Sequence, residues 1–261
     1  MEKHLQRGIK DVIAEFPRVG EILAAYDIGC TTCMVGTCLL GDVVEIHNLP
    51  RETEKELMEK VAQVIDPSGS PVEIKPRPEA PKVTSFCPPI RELMEEHRVI
   101  EEWLALIPQV TEALAAGNPS AWDWISAGLQ FSREYADRYH HAKEENILFD
   151  YGTGKQAIVD AMCLEHNMGR EHIQGTSTAV IKKDVAGAIR HLTAYRELLE
   201  AHIQKEDEIL YPWIQSELST HQVGELYARC ERVKEELDPA RYEEHKAFVQ
   251  ALAEKLNKGN G

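Results

Sequence analysis

The sequence predicts an all-α protein, an antiparallel four-helix bundle preceded by a small helical unit with a Cys-x-x-Cys turn. Three observations predict it. After residue 89, four long stretches place apolar residues at alternating three- and four-residue steps, the rhythm of amphipathic helices. Seven of the thirteen prolines crowd into residues 66–89, a density that no helix survives and that marks a linker between two units. A histidine falls inside the apolar stripe of each of the four helices, and in the second and fourth a glutamate follows it four residues later.

Residues 1–66 form the first predicted unit. Ile9, Val12, Ile13, Phe16, Val19, Ile22, Leu23 and Tyr26 keep a helical rhythm interrupted by Pro17, which suits the first turn of a second short helix. Gly29 ends that helix, and Cys30, Cys33 and Cys38 follow in a compact loop. Leu39 to His47 and Glu52 to Ile65 read as two more helices. Residues 67–88 are the semi-rigid linker, 89–218 the bundle and 219–261 a carboxy-terminal helical extension expected on the bundle's outside. The division into domains rests chiefly on the linker.

In the first bundle helix the stripe is Ile90, Leu93, His97, Ile100, Leu104, Ile107 and Leu114, with Pro108 expected to kink or end it. The second follows Pro119 with Trp122, Ile125, Leu129, Ala136, His140, Glu144 and Ile147. Ile158, Met162, His166, Gly169 and Ile173 mark the third. The fourth opens near Asp184, a suitable N-cap, and carries Val185, Ile189, Leu192, Tyr195, Leu199, His202, Glu206, Ile209 and Trp213.

His97, His140, Glu144, His166, His202 and Glu206 therefore all sit on core stripes. One buried histidine is commonplace, but two buried carboxylates cost several kcal/mol each, on the order of the penalty for any unpaired buried ion, unless a cation pairs them. Four imidazoles and two carboxylates suit a borderline transition metal, iron above all, better than zinc alone or an oxygen-seeking ion such as magnesium or calcium. His141 and Glu145 fall on the outward face at α-helical spacing, and His172 is about 240° from His166 on a second face. His191, His221 and His245 stand among charged residues and read as surface groups. Tyr135, Tyr139, Tyr195 and Trp213 read chiefly as core.

The net charge of −15, from 29 basic and 44 acidic residues, disfavours nucleic acid and anionic membranes as partners. No stretch approaches the length of an apolar membrane span, and no signal peptide is expected at the amino terminus. Six unevenly spaced cysteines do not form an extracellular disulfide framework. The expectation is a cytoplasmic protein, with a homodimer allowed.

Two resemblances attach to these motifs. Phe16-Pro17, Tyr26-Asp27-Ile28-Gly29-Cys30-Thr31-Thr32-Cys33, Leu39-Leu40 and Glu45-Ile46-His47-Asn48-Leu49 resemble the DUF1858 family, small hybrid-cluster-protein-associated redox disulfide domains, over roughly residues 5–66. That likeness implies a reversible disulfide between Cys30 and Cys33. The residues alone leave an iron-sulfur cluster on Cys30, Cys33 and Cys38 as the alternative.

Glu96-His97, His140-x-x-x-Glu144 with Ile-Leu-Phe behind it, Glu165-His166 and His202-x-x-x-Glu206 with Ile-Leu-Tyr-Pro behind it resemble the hemerythrin-like HHE cation-binding family over about residues 88–215. The resemblance implies two iron ions, oxo- and carboxylate-bridged, with His97, His140, His166 and His202 as terminal ligands and Glu144 and Glu206 as bridges. Oxygen-carrying hemerythrins use a fifth histidine at the position of Arg170, so the ligand count is more similar to the iron-sulfur-cluster repair di-iron proteins. The implied function is redox chemistry with O2 or NO, or service to damaged iron-sulfur proteins. The alternative is a non-enzymatic O2, NO or iron sensor whose output is the cysteine unit. No catalytic residue is assigned.

Overall fold

The computed structural model describes residues 1–26, 28, 38–46, 49–67, 83, 85–236 and 239–258. Cys30 and Cys33, His47 and most of the proline-rich linker lie outside the described residues, and with them the disulfide and cluster expectations. Among the described residues the regular structure is helical.

Five helices make the amino-terminal unit: α1 (Glu2–Leu5), α2 (Ile9–Glu15), α3 (Pro17–Ala25), α4 (Val43–Ile46) and α5 (Arg51–Ile65). Pro17 occupies the first turn of α3, where its missing N–H costs no hydrogen bond. Ile9, Val12, Val19, Leu23, Leu57 and Val61 bury their side chains in one apolar cluster. The helix expected over 39–47 is only the single turn α4. Its first residues are committed elsewhere: the Leu40 amide donates to the Arg7 carbonyl and the Gly41 amide to the Leu5 carbonyl, each at 2.9 Å.

The bundle begins with α6 (Pro88–Ala115), which runs through Pro108 without ending. Loss of a helical hydrogen bond there costs about 3 kcal/mol in an isolated helix. Buried Trp103, Leu104, Ile107 and Val110 hold the turns on both sides of the proline and override that cost. Helix α7 (Ala121–Phe131) continues with π-helical winding over Ser132–His141 and again over Glu144–Leu148, closing in a 3-10 turn at Phe149–Tyr151. Helices α8 (Gln156–Lys182) and α9 (Val185–Lys205) are joined by two residues, Lys183 with φ 54° and Asp184. The Asp184 carboxylate accepts from the Gly187 amide at 2.9 Å, the N-cap the sequence leads one to expect.

A third π-helical stretch, Glu206–Leu210, leads from α9 into α10 (Tyr211–Glu217), and α11 (Thr220–Glu236) and α12 (Pro239–Lys258) follow. Around the bundle α6 neighbours α7 and α9, and α8 lies between α7 and α9. The carboxy-terminal helices pack on its outside. Val249, Leu252 and Leu256 of α12 join the cluster of Ile100, Trp103 and Phe131, while Leu226 and Cys230 of α11 join that of Ile90, Leu93 and Leu148.

Those two apolar clusters occupy opposite ends of the bundle. Along α6 the order is Ile90 and Leu93, then His97, then Ile100 onward; along α9 it is Leu199 and Ile203, then Glu206, then Ile209 and Leu210. A polar layer is thus sealed above and below by hydrocarbon.

One close approach fixes the α6–α7 separation. A Cβ on Gly128 would stand 2.2 Å from Cη2 of Trp103, which is fully buried and has nowhere to move. We expect Gly128→Ala to destabilise the fold by about 1–3 kcal/mol through overpacking, despite alanine's better helix propensity. A lower urea midpoint at unchanged m-value is the signature; an unchanged or higher midpoint contradicts it.

Candidate metal centre

The polar layer gathers every residue that the stripes single out. His97, His140, Glu144, His166, His202 and Glu206 are each no more than 1% exposed. His140 Nε2 lies 3.4 Å and His166 Nε2 3.5 Å from Glu144 Oε2. His97 Nε2 and His202 Nε2 each lie 3.2 Å from Glu206 Oε2. The carboxylates also reach across: Glu144 Oε1 is 3.9 Å from His97 Nε2, and Glu206 Oε1 is 3.9 Å from His166 Nε2. Each glutamate therefore touches imidazoles from both halves, the placement of a bridging group.

Four carboxylates orient the four imidazoles from behind. The Nδ1 atoms of His97, His140, His166 and His202 approach Asp207, Glu96, Glu145 and Glu165 at 2.8, 3.0, 2.7 and 2.9 Å. An ionised carboxylate can only accept, so each Nδ1 carries a proton and each Nε2 faces inward, where His166 Nε2 and His202 Nε2 stand 2.9 Å apart. Carboxylate–histidine pairs of this kind orient metal ligands and raise their basicity. Buried Lys143 pairs with Glu96, and Lys205 with Glu165.

These contacts repeat with approximate twofold symmetry. Glu-His on α6 and on α8 faces His-x-x-Lys-Glu followed by Glu145 in one arm and Asp207 in the other. The motif was visible in the sequence as an alignment of two arms; the roles of its lysines and of its second acidic residue were not. Glu145, expected outward, is a correction: it is only a quarter exposed, and it accepts from both His166 and Arg170.

His141 is a second correction. It is 4% exposed, and its ring stacks on His166 at 3.9 Å with the planes 15° apart. The outward placement assumed α-helical spacing. The π-helical winding over Ser132–His141 puts more residues in each turn, which narrows the angle between neighbours and turns His141 inward beside His140. The neutral expectation for His172 holds: it is half-buried and faces His191 on the far side of α8.

Burial disfavours a charged imidazole, yet the Asp207 and Glu206 carboxylates outweigh it and push His97 up to about 10. At His202 burial is again overcome, by Glu206 and Glu165, and the group rises to about 9. His166 goes well below 6.5, through burial and then the neighbouring imidazoles of His141 and His202. Burial raises Glu206, but His202 and His97 more than reverse this and hold it well below the carboxylate range. Tyr211 donates its hydroxyl to Glu144 while stacking on His97, 5.5 Å between ring centres.

Without a cation the layer is poorly satisfied. His140 Nε2, Glu144 Oε2 and both oxygens of Glu206 are buried with no hydrogen-bond partner. Two overlapping donor sets, each with its atoms within 4.8 Å of one another, are His97, His140, Glu144 and Glu206, and His141, Glu144, His166 and His202. Nitrogen and carboxylate donors of this kind fit iron, manganese or zinc.

An antiparallel four-helix bundle with a buried layer of imidazoles and shared carboxylates defines a helical metal-binding domain. Residues 88–214 match the family model of the Hemerythrin HHE cation binding domain, so this bundle is hemerythrin-like and its implied cation is typically iron. Comparison with curated proteins and with solved structures finds no match for the chain. Among the described residues no helix is long and apolar enough to cross a membrane.

Two outcomes follow from this geometry. The raised values of His97 and His202 stabilise the metal-free fold fully below about pH 6.5, and that contribution is lost as pH rises through about 9 and about 10. The chelated protein is therefore expected to melt at progressively lower temperature from neutral pH to pH ~10; a flat or rising curve contradicts it. Replacing Glu96 with Gln removes the charge that orients His140 and strands Lys143, and is expected to weaken metal binding roughly 10–100-fold in competitive zinc titrations. Undiminished affinity contradicts the supporting role.

Proposed function

We propose that this bundle holds two iron ions, with His97, His140, His166 and His202 as terminal ligands and Glu144 and Glu206 as bridges. The observation that carries the reading is the pair of donor sets sharing Glu144, in which His140 Nε2, Glu144 Oε2 and both oxygens of Glu206 have no hydrogen-bond partner. Two irons so held supply one-electron redox chemistry and a coordination position for a small diatomic ligand such as O2 or NO. The chain's own residues set the conditions. The apolar clusters at both ends exclude water, the four carboxylates fix the imidazole tautomers, and Tyr211 keeps a hydroxyl proton beside Glu144. Burial and the Glu144 carboxylate push the Tyr211 hydroxyl well above its usual value, so it stays protonated.

On this reading the protein acts in the cytoplasm in an O2, NO or redox stress response, by reductive chemistry on the diatomic ligand or by supplying iron to damaged iron-sulfur proteins. Nucleic acid and membranes are not its partners. A sensor is the second reading, favoured by one contact: Cys38 packs against both the amino-terminal core and the bundle cluster of Leu148 and Met162. Residues 1–66, a redox unit carrying Cys30, Cys33 and Cys38 as disulfide or cluster ligands, would then report the state of the bundle.

Anaerobic purification followed by iron and acid-labile sulfide counting tests the proposal. Two irons without sulfide are expected if the bundle alone is loaded, with sulfide and further iron if the cysteines hold a cluster. Glu144→Ala and Glu206→Ala are each expected to lose metal; either variant retaining both ions overturns the ligand assignment. Consumption of NO or O2 under reducing conditions separates turnover from reversible sensing.

A further inference from the structure

We infer that His141 is a fifth imidazole ligand, completing the metal position of Glu144, His166 and His202 and making the two positions unequal. The inference rests on the two-metal reading above and adds to it a residue that the α-helical register excludes.

Four observations support it. First, a ligand atom of His141 lies within 4.8 Å of those of Glu144, His166 and His202, and all four residues are buried. Second, the Asp137 carboxylate stands on the Nδ1 side of His141, the side from which carboxylates hold the other four imidazoles, but at 3.7 Å, outside hydrogen-bond distance, so that Nδ1 has no hydrogen-bond partner. Asp137 is itself held by Arg170 at 2.7 Å, and the same guanidinium holds Glu145 behind His166, so the supports of His141 and His166 are tied together.

Third, the approximate twofold axis shows what packing alone requires here. Aligning His140 with His202 places His141 opposite Ile203, which is buried in the apolar cluster. A hydrocarbon serves at the aligned position, so the imidazole, although it stacks on His166, costs desolvation unless it binds something. Fourth, the backbone departs from α-helix where it must to aim His141. The ten residues Ser132–His141 are π-helical, whereas α9 is regular through His202. Such departures concentrate at functional sites. A cleft of about 270 Å³ lined by Asp137, His141, His166 and Arg170 lies against this half of the layer.

Zinc is the probe, because it binds imidazole without redox chemistry and leaves NMR signals sharp. In the full chain labelled with 15N-histidine and loaded with zinc, five imidazoles are expected to show a zinc-bound nitrogen. His141→Phe, which keeps the aromatic stack on His166, is expected to show four, and to bind its second zinc at least about tenfold more weakly. Four zinc-bound imidazoles in the unaltered protein, with the His141 signals unmoved by zinc, overturn the inference while leaving the two-metal reading intact. Fewer than two zinc ions per unaltered chain overturn that reading and this inference together. The count on the unaltered protein decides the matter even if the variant does not fold.

Discussion

Burying ionised carboxylates between two layers of hydrocarbon is the constraint on which the rest of this bundle depends. Glu144 and Glu206 have no exposure, and desolvating a carboxylate costs several kcal/mol, on the order of the whole stability margin of a domain. Nearly every unusual feature nearby compensates for that burial. Imidazoles stand against the inner oxygens, outer carboxylates hold the imidazoles, and Lys143 and Lys205 hold two of those carboxylates in turn. A cation at the centre closes the chain of compensation. The same carboxylates hold His97 and His202 high, so that these two imidazoles carry protons in the metal-free layer.

The arrangement is nearly twofold, and the departures from symmetry carry the chemistry. Tyr211 stacks on His97 as Phe149 stacks on His166, but only the tyrosine brings a hydroxyl to an inner glutamate, Glu144. His141 has Ile203 as its counterpart. Arg170 gathers Asp137 and Glu145 on one side only. One half of the layer is thus richer in nitrogen donors and lies against a cleft, while the other is closed by a phenol.

Much of this was legible in the sequence, because the six inward donors obey the same periodicity as the apolar residues around them. Asp184 and Pro17 mark helix starts by local chemistry, and the structure agrees with both. Where the expectation fails, a nonlocal force has changed the local rule. Pro108 is carried through α6 by the packing of its neighbours. The predicted helix over 39–47 shrinks because Leu40 and Gly41 pair with residues of the first turn. His141 was misplaced because a fixed angle per residue cannot anticipate π-helical winding, which no residue type announces. The supporting carboxylates could have been found: the aligned arms display Lys143 with Lys205 and Glu145 with Asp207, but only the folded layer shows which imidazole each acid serves.

The outer carboxylates carry a further consequence. Around the layer stand seven acids, Glu96, Asp137, Glu144, Glu145, Glu165, Glu206 and Asp207, against three cationic side chains, Lys143, Arg170 and Lys205. With neutral imidazoles the surplus is four negative charges, which on the proposed reading two divalent ions would balance. Loaded in that way, the layer would be electroneutral. Removing an electron from it would leave a net positive charge among hydrocarbon, so each electron that departs must be accompanied by a departing proton or an arriving anion. Electroneutrality would then tie electron traffic through a two-iron layer to proton traffic.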